Sequence, residues 1–217
     1  MDKVVIITGA ARGIGLATAK IFLQQNYKVV IVDRDKNEVN KLKLKNDKLL
    51  KYICDISDPK KNKSMIEDIY KWGKRIDILV NNAGVMYFEL MKNVRWDDWE
   101  RTVNVNCKGV MYGIGSVLPQ MVSRGSGHII NITSDAGVTA FAGLGIYSGS
   151  KFFVEGMSKA LRLETASTGI RVTCIQPGNV ETPLLATSSD PEGIEMYGKP
   201  SGAKVLEPAD IGRAVVY

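Results

Sequence analysis

The stretch of sequence that decides the fold is VVIITGAARGIG, residues 4–15. It opens with a run of apolar, mostly β-branched residues and continues into a segment that contains Gly9, Gly13 and Gly15. A short, continuously apolar run is typical of a strand covered on both faces, and the glycines allow a tight turn and close packing of the next helix. The stretch therefore predicts the first strand, turn and helix of a parallel α/β sheet.

Short β-branched runs alternate with longer segments of helical period along the rest of the chain. The runs predict strands at Val4–Thr8, Lys28–Asp33, Leu49–Cys54, Ile76–Asn81, Gly127–Thr133 and Ile170–Gln176. The periodic segments predict helices at Ile14–Gln25, Lys36–Lys45, Pro59–Trp72, Asp97–Val122, Ile146–Ala166 and Pro208–Tyr217. Because parallel strands need crossover helices, we expect an α/β fold in one domain spanning residues 1–217, with helices on both faces of the sheet.

The composition excludes several classes of protein. With 45% hydrophobic and 24% charged residues, the chain resembles neither a disordered protein, a collagen-like fibre nor a small disulfide scaffold. Its net charge of +6 is concentrated in nine lysines between residues 36 and 63. A nucleic-acid surface is one interpretation, but a solvated helix face and loop is favoured because the lysines are not regularly interleaved with aromatic residues and no known binding module accompanies them. We therefore expect no nucleic-acid partner.

The cysteines and the lack of long apolar stretches indicate in which cellular compartment we expect the protein. Cys54, Cys107 and Cys174 are widely spaced and lie in apolar runs, which is typical of free buried thiols in a reducing environment. The start of the sequence has no basic region with a cleavage site, and the chain contains no run of 18 apolar residues. The sequence predicts a cytoplasmic protein without membrane association, and we expect no metal site.

The glycine segment lies where a nucleotide would bind. Its spacing differs from G-x-G-x-x-G, but the free N–H groups at the start of the helix still face an anion placed there. Asp33 ends the second strand 18 residues after Gly15, close to the spacing of a carboxylate that accepts from the adenosine ribose. Asp33 favours NAD over NADP. Arg12 and Arg34 leave NADP open, because either could pair with a 2′-phosphate.

Two further segments point to chemistry at the same edge of the sheet. NNAG, residues 81–84, ends the fourth strand and is either a plain turn or a floor for a cofactor ribose. Ser134 follows the fifth strand, and Tyr147 and Lys151 share one face of the next helix. A Tyr with a pKa near 10 is a poor base, and lowering that pKa to about 7 requires roughly 4 kcal/mol of phenolate stabilisation. The Lys151 ammonium and an oxidised nicotinamide could provide it.

Taken together, the motifs resemble those of the short-chain dehydrogenase/reductase family, in its standard-length NAD(P)-dependent branch. They occur in family order over nearly the whole chain: Thr8-Gly9-x-x-x-Gly13-x-Gly15, Asn81-Asn82-Ala83-Gly84, Asn106, Ser134, Tyr147-x-x-x-Lys151, and Pro177-Gly178 with Thr182. The resemblance implies a three-layer, doubly wound Rossmann-type sheet of strand order 3-2-1-4-5-6 plus an edge strand. It also implies NAD(P)-dependent oxidation of alcohols or reduction of carbonyls.

The resemblance assigns roles to individual residues. Tyr147 is the expected acid/base and Ser134 orients the substrate oxygen, while Asn106 holds a water that relays protons through Lys151. Lys151 also bonds the nicotinamide ribose, Asp55 meets the adenine and Thr182 reaches the carboxamide. The full set expected to contact the cofactor is Gly9, Arg12, Gly13, Ile14, Gly15, Asp33, Arg34, Asp55, Ile56, Asn82, Ala83, Gly84, Tyr147, Lys151, Pro177, Gly178, Val180 and Thr182.

A long segment without clear period, Pro177–Val205, is interpreted as a functional loop. Within it we expect residues 178–204 to form a substrate-binding lid, with Met196 and Tyr197 closing over the pocket. The expected pocket walls are Met86, Tyr87, Ala136, Phe141, Leu144, Asn179, Leu184 and Leu185, beside Ser134 and Tyr147. These mostly apolar walls suit a moderately hydrophobic secondary alcohol or ketone, although core packing is an equally good reading of Phe141 and Leu144.

Two alternatives concern the end of the chain and the reaction. The sequence stops at Tyr217 where family members continue into a last strand, so we expect a truncated chain with that edge strand missing. By resemblance we expect a homodimer or homotetramer. A catalytically silent nucleotide-binding regulator on the same fold is the alternative to an enzyme, because a fold does not fix a function.

Overall fold

The structure, a computed structural model, describes residues 2–184, 188–198, 202 and 204–217. Its strands are β1 (Val4–Thr8), β2 (Lys28–Asp33), β3 (Leu49–Ile53), β4 (Ile78–Asn81), β5 (Gly127–Ile132) and β6 (Ile170–Ile175). All five neighbouring pairs are parallel, and the strand order is β3-β2-β1-β4-β5-β6. The predicted strand order and sheet type are confirmed.

The helices are α1 (Gly13–Gln24), α2 (Lys36–Lys41), α3 (Pro59–Gly73), α4 (Trp96–Thr102), α5 (Val110–Arg124), α6 (Gly145–Glu164), α7 (Pro191–Tyr197) and α8 (Pro208–Val216). A π-helix, Val103–Gly109, joins α4 to α5, and short 3₁₀ turns lie at Met91–Asn93 and Asp135–Gly137. No helix of the described residues is both long enough and apolar enough to cross a membrane.

Helices cover both faces of the sheet, as a three-layer fold requires. Along β1, Val4 and Ile6 join the core formed with α3, α5 and α6, while Val5 and Ile7 join the core formed with α1 and α8. All four side chains are fully buried. Because successive strand residues point to opposite faces, a strand between two helical layers must be apolar throughout. This explains why an unbroken apolar run predicted the strand correctly.

Two predicted helices differ in the structure. The helix expected at Lys36–Lys45 ends at Lys41. Leu42 and Leu44 then pack against the α1 side of the core from an irregular segment. The sequence KLKLK, residues 41–45, alternates with a period of two, which keeps both leucines on one side of an extended chain and all three lysines in solvent. The helix expected at Asp97–Val122 is instead divided by the π-helix.

The segment after β6 holds a helix that the sequence analysis did not identify. Asp190 precedes α7 and Pro191 is its first residue, a pair that commonly marks a helix start. The predicted lid, residues 178–204, lies only partly within the described residues, because 185–187, 199–201 and 203 lie outside them. Leu185, one of the expected pocket walls, therefore lies outside the described residues.

Candidate active site

The turn after β1 requires its glycines. Gly9 and Gly13 have φ angles of 62° and 54°, in the left-handed region that favours glycine. A Cβ on Gly9 would lie 2.7 Å from the Cα of Ala83. A Cβ on Gly15 would lie 2.6 Å from both the Asn82 Nδ2 and the Gly9 carbonyl oxygen. The predicted tight turn and close approach are present, and they bring the turn against the NNAG segment.

Hydrogen bonds from the NNAG segment fix that turn. The backbone N–H groups of Asn82 and Ala83 each donate to the Thr8 hydroxyl over 3.1 Å. The Asn82 side-chain amide donates to the carbonyl oxygens of Thr8, at 2.8 Å, and Gly9, at 3.0 Å. Thr8 was not among the expected site residues, although a hydroxyl at the end of an otherwise apolar buried strand is a usable signal. Asn82 acts here as a brace for the glycine turn.

The start of α1 fits a bound phosphate group. Arg12 is the N-cap of α1 and forms no capping hydrogen bond with its exposed side chain, and the first turn of the helix contains no acidic residue. Thr182 lies beside this turn, with its Cγ2 3.4 Å from the position of a Cβ on Gly13. A glycine turn that side chains would obstruct, at an uncapped helix N-terminus, suits the pyrophosphate of a dinucleotide.

Asp33 lies against the same turn. Its Oδ2 accepts from the backbone N–H of Ala11 and its Oδ1 from that of Asp35, each over 3.1 Å. The carboxylate is thereby held beside the glycine turn. It is in place for the predicted ribose contact, which stays a prediction.

A cavity of about 470 Å³ lies between the carboxyl ends of β2 and β3, and the residue that follows Asp33 is part of its lining. Its lining residues are Arg34, Asp35, Ile53, Cys54, Asp55 and Lys61. The structure thus brings together Arg34 and Asp55, both expected cofactor residues. Lys61 was missed, because the lysine-rich stretch was interpreted as a solvated face. Ile56, another expected cofactor residue, is buried in the core beneath Gly109.

Ser134, Tyr147 and Lys151 meet beside the carboxyl end of β5, and each is less than a tenth exposed. The Lys151 Nζ lies 5.5 Å from the centre of the Tyr147 ring and donates to the Ile132 carbonyl oxygen over 2.9 Å. The Ser134 hydroxyl is close enough to the Tyr147 phenol to lower the pKa of that phenol. The structure therefore places the phenol, ammonium and hydroxyl together, as expected from their spacing.

Burial dominates the electrostatics of this group. Burial raises the pKa of Tyr147 to about 12, the Ser134 hydroxyl opposes this rise, and the Asp135 carboxylate adds to it. Burial also lowers the pKa of Lys151 to about 8, against the opposing charges of Cys107 and Glu155. The surrounding protein groups thus move the phenol away from the pKa that a base at neutral pH needs. The Lys151 ammonium does not outweigh burial.

Asn106 lies in the π-helix, a distortion that is frequent at functional sites. Its Oδ1 accepts from the Val85 N–H over 2.9 Å, and its Nδ2 donates to the Val85 carbonyl at 2.9 Å and to the Ser150 hydroxyl at 3.0 Å. Ser150 in turn donates to the Tyr147 carbonyl over 2.6 Å. Both amide hydrogens are engaged, so a relay water could only donate to Asn106. The side chain braces the segment after β4 against α6.

Apolar side chains pack around Tyr147. Buried Met86 and Ala136 form a cluster with it, joined by partly buried Phe88, Leu144 and Leu184. Met86, Ala136, Leu144 and Leu184 were expected here, whereas Phe88 was not. Phe141, another expected wall, is 42% exposed.

Tyr87, another expected pocket wall, is not part of the cluster around Tyr147, and its place in the wall stays a prediction. Tyr87 packs with Val85 and Val105 in a separate cluster. Cluster membership alternates along this segment, because Met86 and Phe88 pack with Tyr147 whereas Val85 and Tyr87 pack with Val105. Asn179 and Val180 lie in the loop after β6. There the Asn179 carbonyl accepts from the Leu206 N–H over 2.9 Å, and Val180 forms an isolated bridge with Leu206.

Helix α7 is docked on segments that flank this cluster. Asp190, 2% exposed, accepts through Oδ2 from the Leu90 N–H over 2.9 Å, and the Lys92 Nζ lies 2.6 Å from the Glu192 Oε1. The Leu90 hydrogen bond lowers the pKa of Asp190. On the other flank, a Cβ on Gly143 would lie 2.6 Å from the Tyr197 ring. Tyr197 was named from sequence as a lid residue, whereas Asp190 and Glu192 were not identified, because their contacts join distant parts of the chain.

The site thus combines a glycine turn at one end with a buried Ser, Tyr and Lys group at the other, at the carboxyl ends of a parallel α/β sheet. The family model for short chain dehydrogenases matches residues 3–193, and the chain belongs to this family. It is therefore an oxidoreductase of the short-chain dehydrogenase class, which acts on small molecules with a nicotinamide cofactor. Among the described residues, no group of three or more His, Cys, Asp or Glu side chains could hold a metal ion.

Similar proteins include two curated relatives. The glycine betaine reductase ATRR of Emericella nidulans is 45% identical over 219 residues, covering 99% of this chain but only 17% of that protein's length. Uncharacterized oxidoreductase SSP1627 of Staphylococcus saprophyticus is 38% identical over 100% of this chain and 89% of its own. The chain thus matches nearly all of one relative and a small part of the other.

Solved structures share the fold over nearly the whole chain. A closed form of serine dehydrogenase complexed with NADP⁺ is 34% identical, with a TM-score of 0.89, over 98% of this chain and 87% of that one. A 3-ketoacyl-(acyl-carrier-protein) reductase from Brucella melitensis complexed with NADH is 32% identical, with a TM-score of 0.87, over 99% of this chain and 89% of that one. One of these two structures thus contains NADP⁺ and the other contains NADH.

Proposed function

We propose that this protein transfers a hydride between a nicotinamide cofactor and the carbinol carbon of a secondary alcohol or the corresponding ketone. The observation that carries the proposal is the buried group in which the Lys151 ammonium lies 5.5 Å from the Tyr147 ring and Ser134 lies beside its phenol. When bound, the cofactor supplies the hydride donor or acceptor. The protein supplies orientation, the proton and the exclusion of water.

Each residue has a distinct part in the proposed reaction. Ser134 orients the substrate oxygen, and the Tyr147 phenol gives its proton to that oxygen during reduction or takes it during oxidation. The Lys151 ammonium stabilises the phenolate that reduction leaves behind. Asn106 positions the segment after β4 against α6, and we retain its water relay through Lys151 as part of the proposal. The pKa of about 8 for Lys151 makes its charge available at neutral pH.

The walls of the site favour moderately hydrophobic substrates. Met86, Ala136, Leu144 and Leu184 surround Tyr147 with apolar surface. We propose that residues 178–204 form a lid within the single domain, since α7 already lies against the flanks of the site. By resemblance to the family we propose a homodimer or homotetramer in the cytoplasm.

For the cofactor we propose NAD, with NADP as the alternative. Asp33 places a carboxylate beside the glycine turn, where it would accept from ribose hydroxyls and repel a 2′-phosphate. Arg34 and Lys61 line the neighbouring cavity and support the alternative. A comparison of Michaelis constants decides the matter: a lower value for NADP than for NAD would overturn the choice.

The central test is Tyr147→Phe, assayed by nicotinamide absorbance with a panel of secondary alcohols and ketones. We expect turnover to fall by about 10³-fold or more, because the phenol alone exchanges the proton. Cofactor affinity, measured by fluorescence titration, should change by less than about threefold. Equal turnover in the variant would refute the role of Tyr147. Tight cofactor binding without turnover of any panel member in the wild type would favour the silent regulator.

A further inference from the structure

A carboxylate lies directly beside the reacting group and has no part in the reaction described above. Asp135 follows Ser134, and its Oδ1 accepts from the Ser134 hydroxyl over 2.9 Å and from the Ala136 N–H over 2.8 Å. Its own N–H donates to the Pro177 carbonyl over 3.0 Å. Its Oδ2 lies 3.5 Å from the position of a Cβ on Gly178. Asp135 is thus fixed between the catalytic serine and the loop that follows β6.

The negative charge of Asp135 remains open to a ligand. The side chain is exposed, and in the described part of the chain it forms no ion pair. Its charge reaches the reacting oxygen, because it raises the pKa of Tyr147. Apart from Ser134 and the buried Lys151 ammonium, the side chains packed around Tyr147 are apolar. A substrate held there would therefore sense one fixed negative charge close to its reacting carbon.

That charge opposes the chemistry unless the substrate compensates for it. A carboxylate near the phenol disfavours the phenolate, which both directions of the reaction require on Tyr147 at one stage. A positive group on the substrate would offset this effect and would itself be attracted. A carboxylate on the substrate would be repelled, and at separations of 4–6 Å either interaction corresponds to about tenfold or more in affinity.

We propose that Asp135 is a specificity-determining residue that selects substrates carrying a quaternary or primary ammonium group next to the reacting carbinol or carbonyl. This inference rests on the proposed hydride transfer and names its substrate class. Ammonium ketones and alcohols should be favoured over neutral isosteres, and both over substrates with a carboxylate in the same place.

The test uses three methyl ketones that differ only in the group attached to a common acetonyl unit. Acetonyltrimethylammonium is cationic, neopentyl methyl ketone is its neutral isostere, and acetoacetate is anionic. We expect kcat/KM for reduction to fall in that order, with the cation at least about tenfold above its neutral isostere. Equal values for cation and isostere, or a preference for the anion, would overturn the proposal.

The variant that assigns the preference is Asp135→Asn. Asparagine keeps an oxygen that can accept from Ser134 and Ala136, so it removes the charge while preserving the turn. The ratio of kcat/KM for the cation to that for the isostere should fall at least about tenfold. The matched control is Asp47→Asn, the same change on an exposed residue in the turn before β3, which should leave the ratio unaltered. Persistence of the preference in Asp135→Asn would remove Asp135 from the proposal.

Calorimetry separates the failure of this inference from failure of the proposed function. A ketone cannot be reduced by protein saturated with oxidised cofactor, so its binding there is measured without turnover. If no ketone is reduced but acetonyltrimethylammonium binds at least about tenfold more tightly than neopentyl methyl ketone, and Asp135→Asn abolishes the difference, then Asp135 selects cations and the reaction is wrong. Equal binding of both ligands would overturn the inference whatever the reaction.

Discussion

The glycine turn and the group of Ser134, Tyr147 and Lys151, at the two ends of the site, differ in how their structure affects stability. The glycine turn after β1 is fixed by backbone conformation and by the hydrogen bonds that the Asn82 side chain donates to the Thr8 and Gly9 carbonyl oxygens. The catalytic group places the ammonium of Lys151 where burial lowers its pKa to about 8. At the glycine turn, the features that stabilise the fold also prepare the site. At the group of Ser134, Tyr147 and Lys151, the buried ammonium that the proposed reaction requires lowers the stability of the fold.

Replacing the buried ammonium should expose that conflict most strongly. We expect Lys151→Met to lower turnover by about 10³-fold or more, because the phenolate loses its nearby positive charge. The variant should nevertheless be more stable at pH 7, by about 1–3 kcal/mol in urea denaturation, because the desolvation cost of the buried ammonium is removed. Lys159→Met, an exposed position on the same helix, is the control and should change little.

The sign of this effect follows from linkage. The pKa of Lys151 is about 8 in the folded state against an ordinary value of 10.5, so the unfolded state binds more protons between these values. The cost of the lysine is fully present below pH 8 and disappears as the pH rises towards 10.5. The stability advantage of Lys151→Met should shrink over that interval. A variant less stable than the wild type at pH 7 would contradict the comparison.

Breaking the glycine turn should lower binding and stability together. In Gly9→Ala the new Cβ would lie 2.7 Å from the Ala83 Cα at a φ of 62°, so the backbone must shift. We expect cofactor affinity to fall about 10–100-fold and the free energy of unfolding to fall by about 1–3 kcal/mol. Gly115→Ala is the control: it lies in α5 with open space around it and should be neutral or stabilising. Unchanged affinity in Gly9→Ala would show that the turn does not hold the cofactor.

A third, smaller effect on stability is expected from His128, which lies near the amino end of β5 and away from the site. Burial lowers the pKa of His128 to about 4, with the charge of Arg171 adding to it, while its Nε2 lies 2.8 Å from the Thr173 hydroxyl. Since an unfolded histidine titrates near pH 6.5, stability should decline as the pH falls from 6.5 towards 4. Allowing for partial exposure, we expect about 1 kcal/mol, measured by urea denaturation at several pH values. His128→Gln should flatten this slope, and an identical slope would assign the acid sensitivity to other groups.

Residues that act through the backbone or a local pattern were predictable. The six strands begin and end within about two residues of expectation, because burial on both faces requires an unbroken apolar run. Gly9 and Gly15 were identified because only glycine tolerates their surroundings. Tyr147 and Lys151 were paired because helical spacing of four places them on one face.

Errors occurred where a local pattern had two readings or a long-range contact decided. The alternating leucines after α2 carry a strand-like period, so the predicted helix was too long. Helix α7 was missed although Asp190 and Pro191 mark its start. Its docking on Leu90 joins residues 100 positions apart, a separation that no local pattern reports.

The sequence by itself determined the strands, the glycine turn, the candidate catalytic residues and the family, because each depends on residue type and on spacing within a few turns of chain. Only the tertiary structure decided which side chains surround Tyr147, how far burial moves the pKa values of Tyr147 and Lys151, and that the Asp135 charge acts on the Tyr147 phenol. These properties depend on desolvation and on distances between groups from separate elements, and those exist only once the sheet and helices have packed.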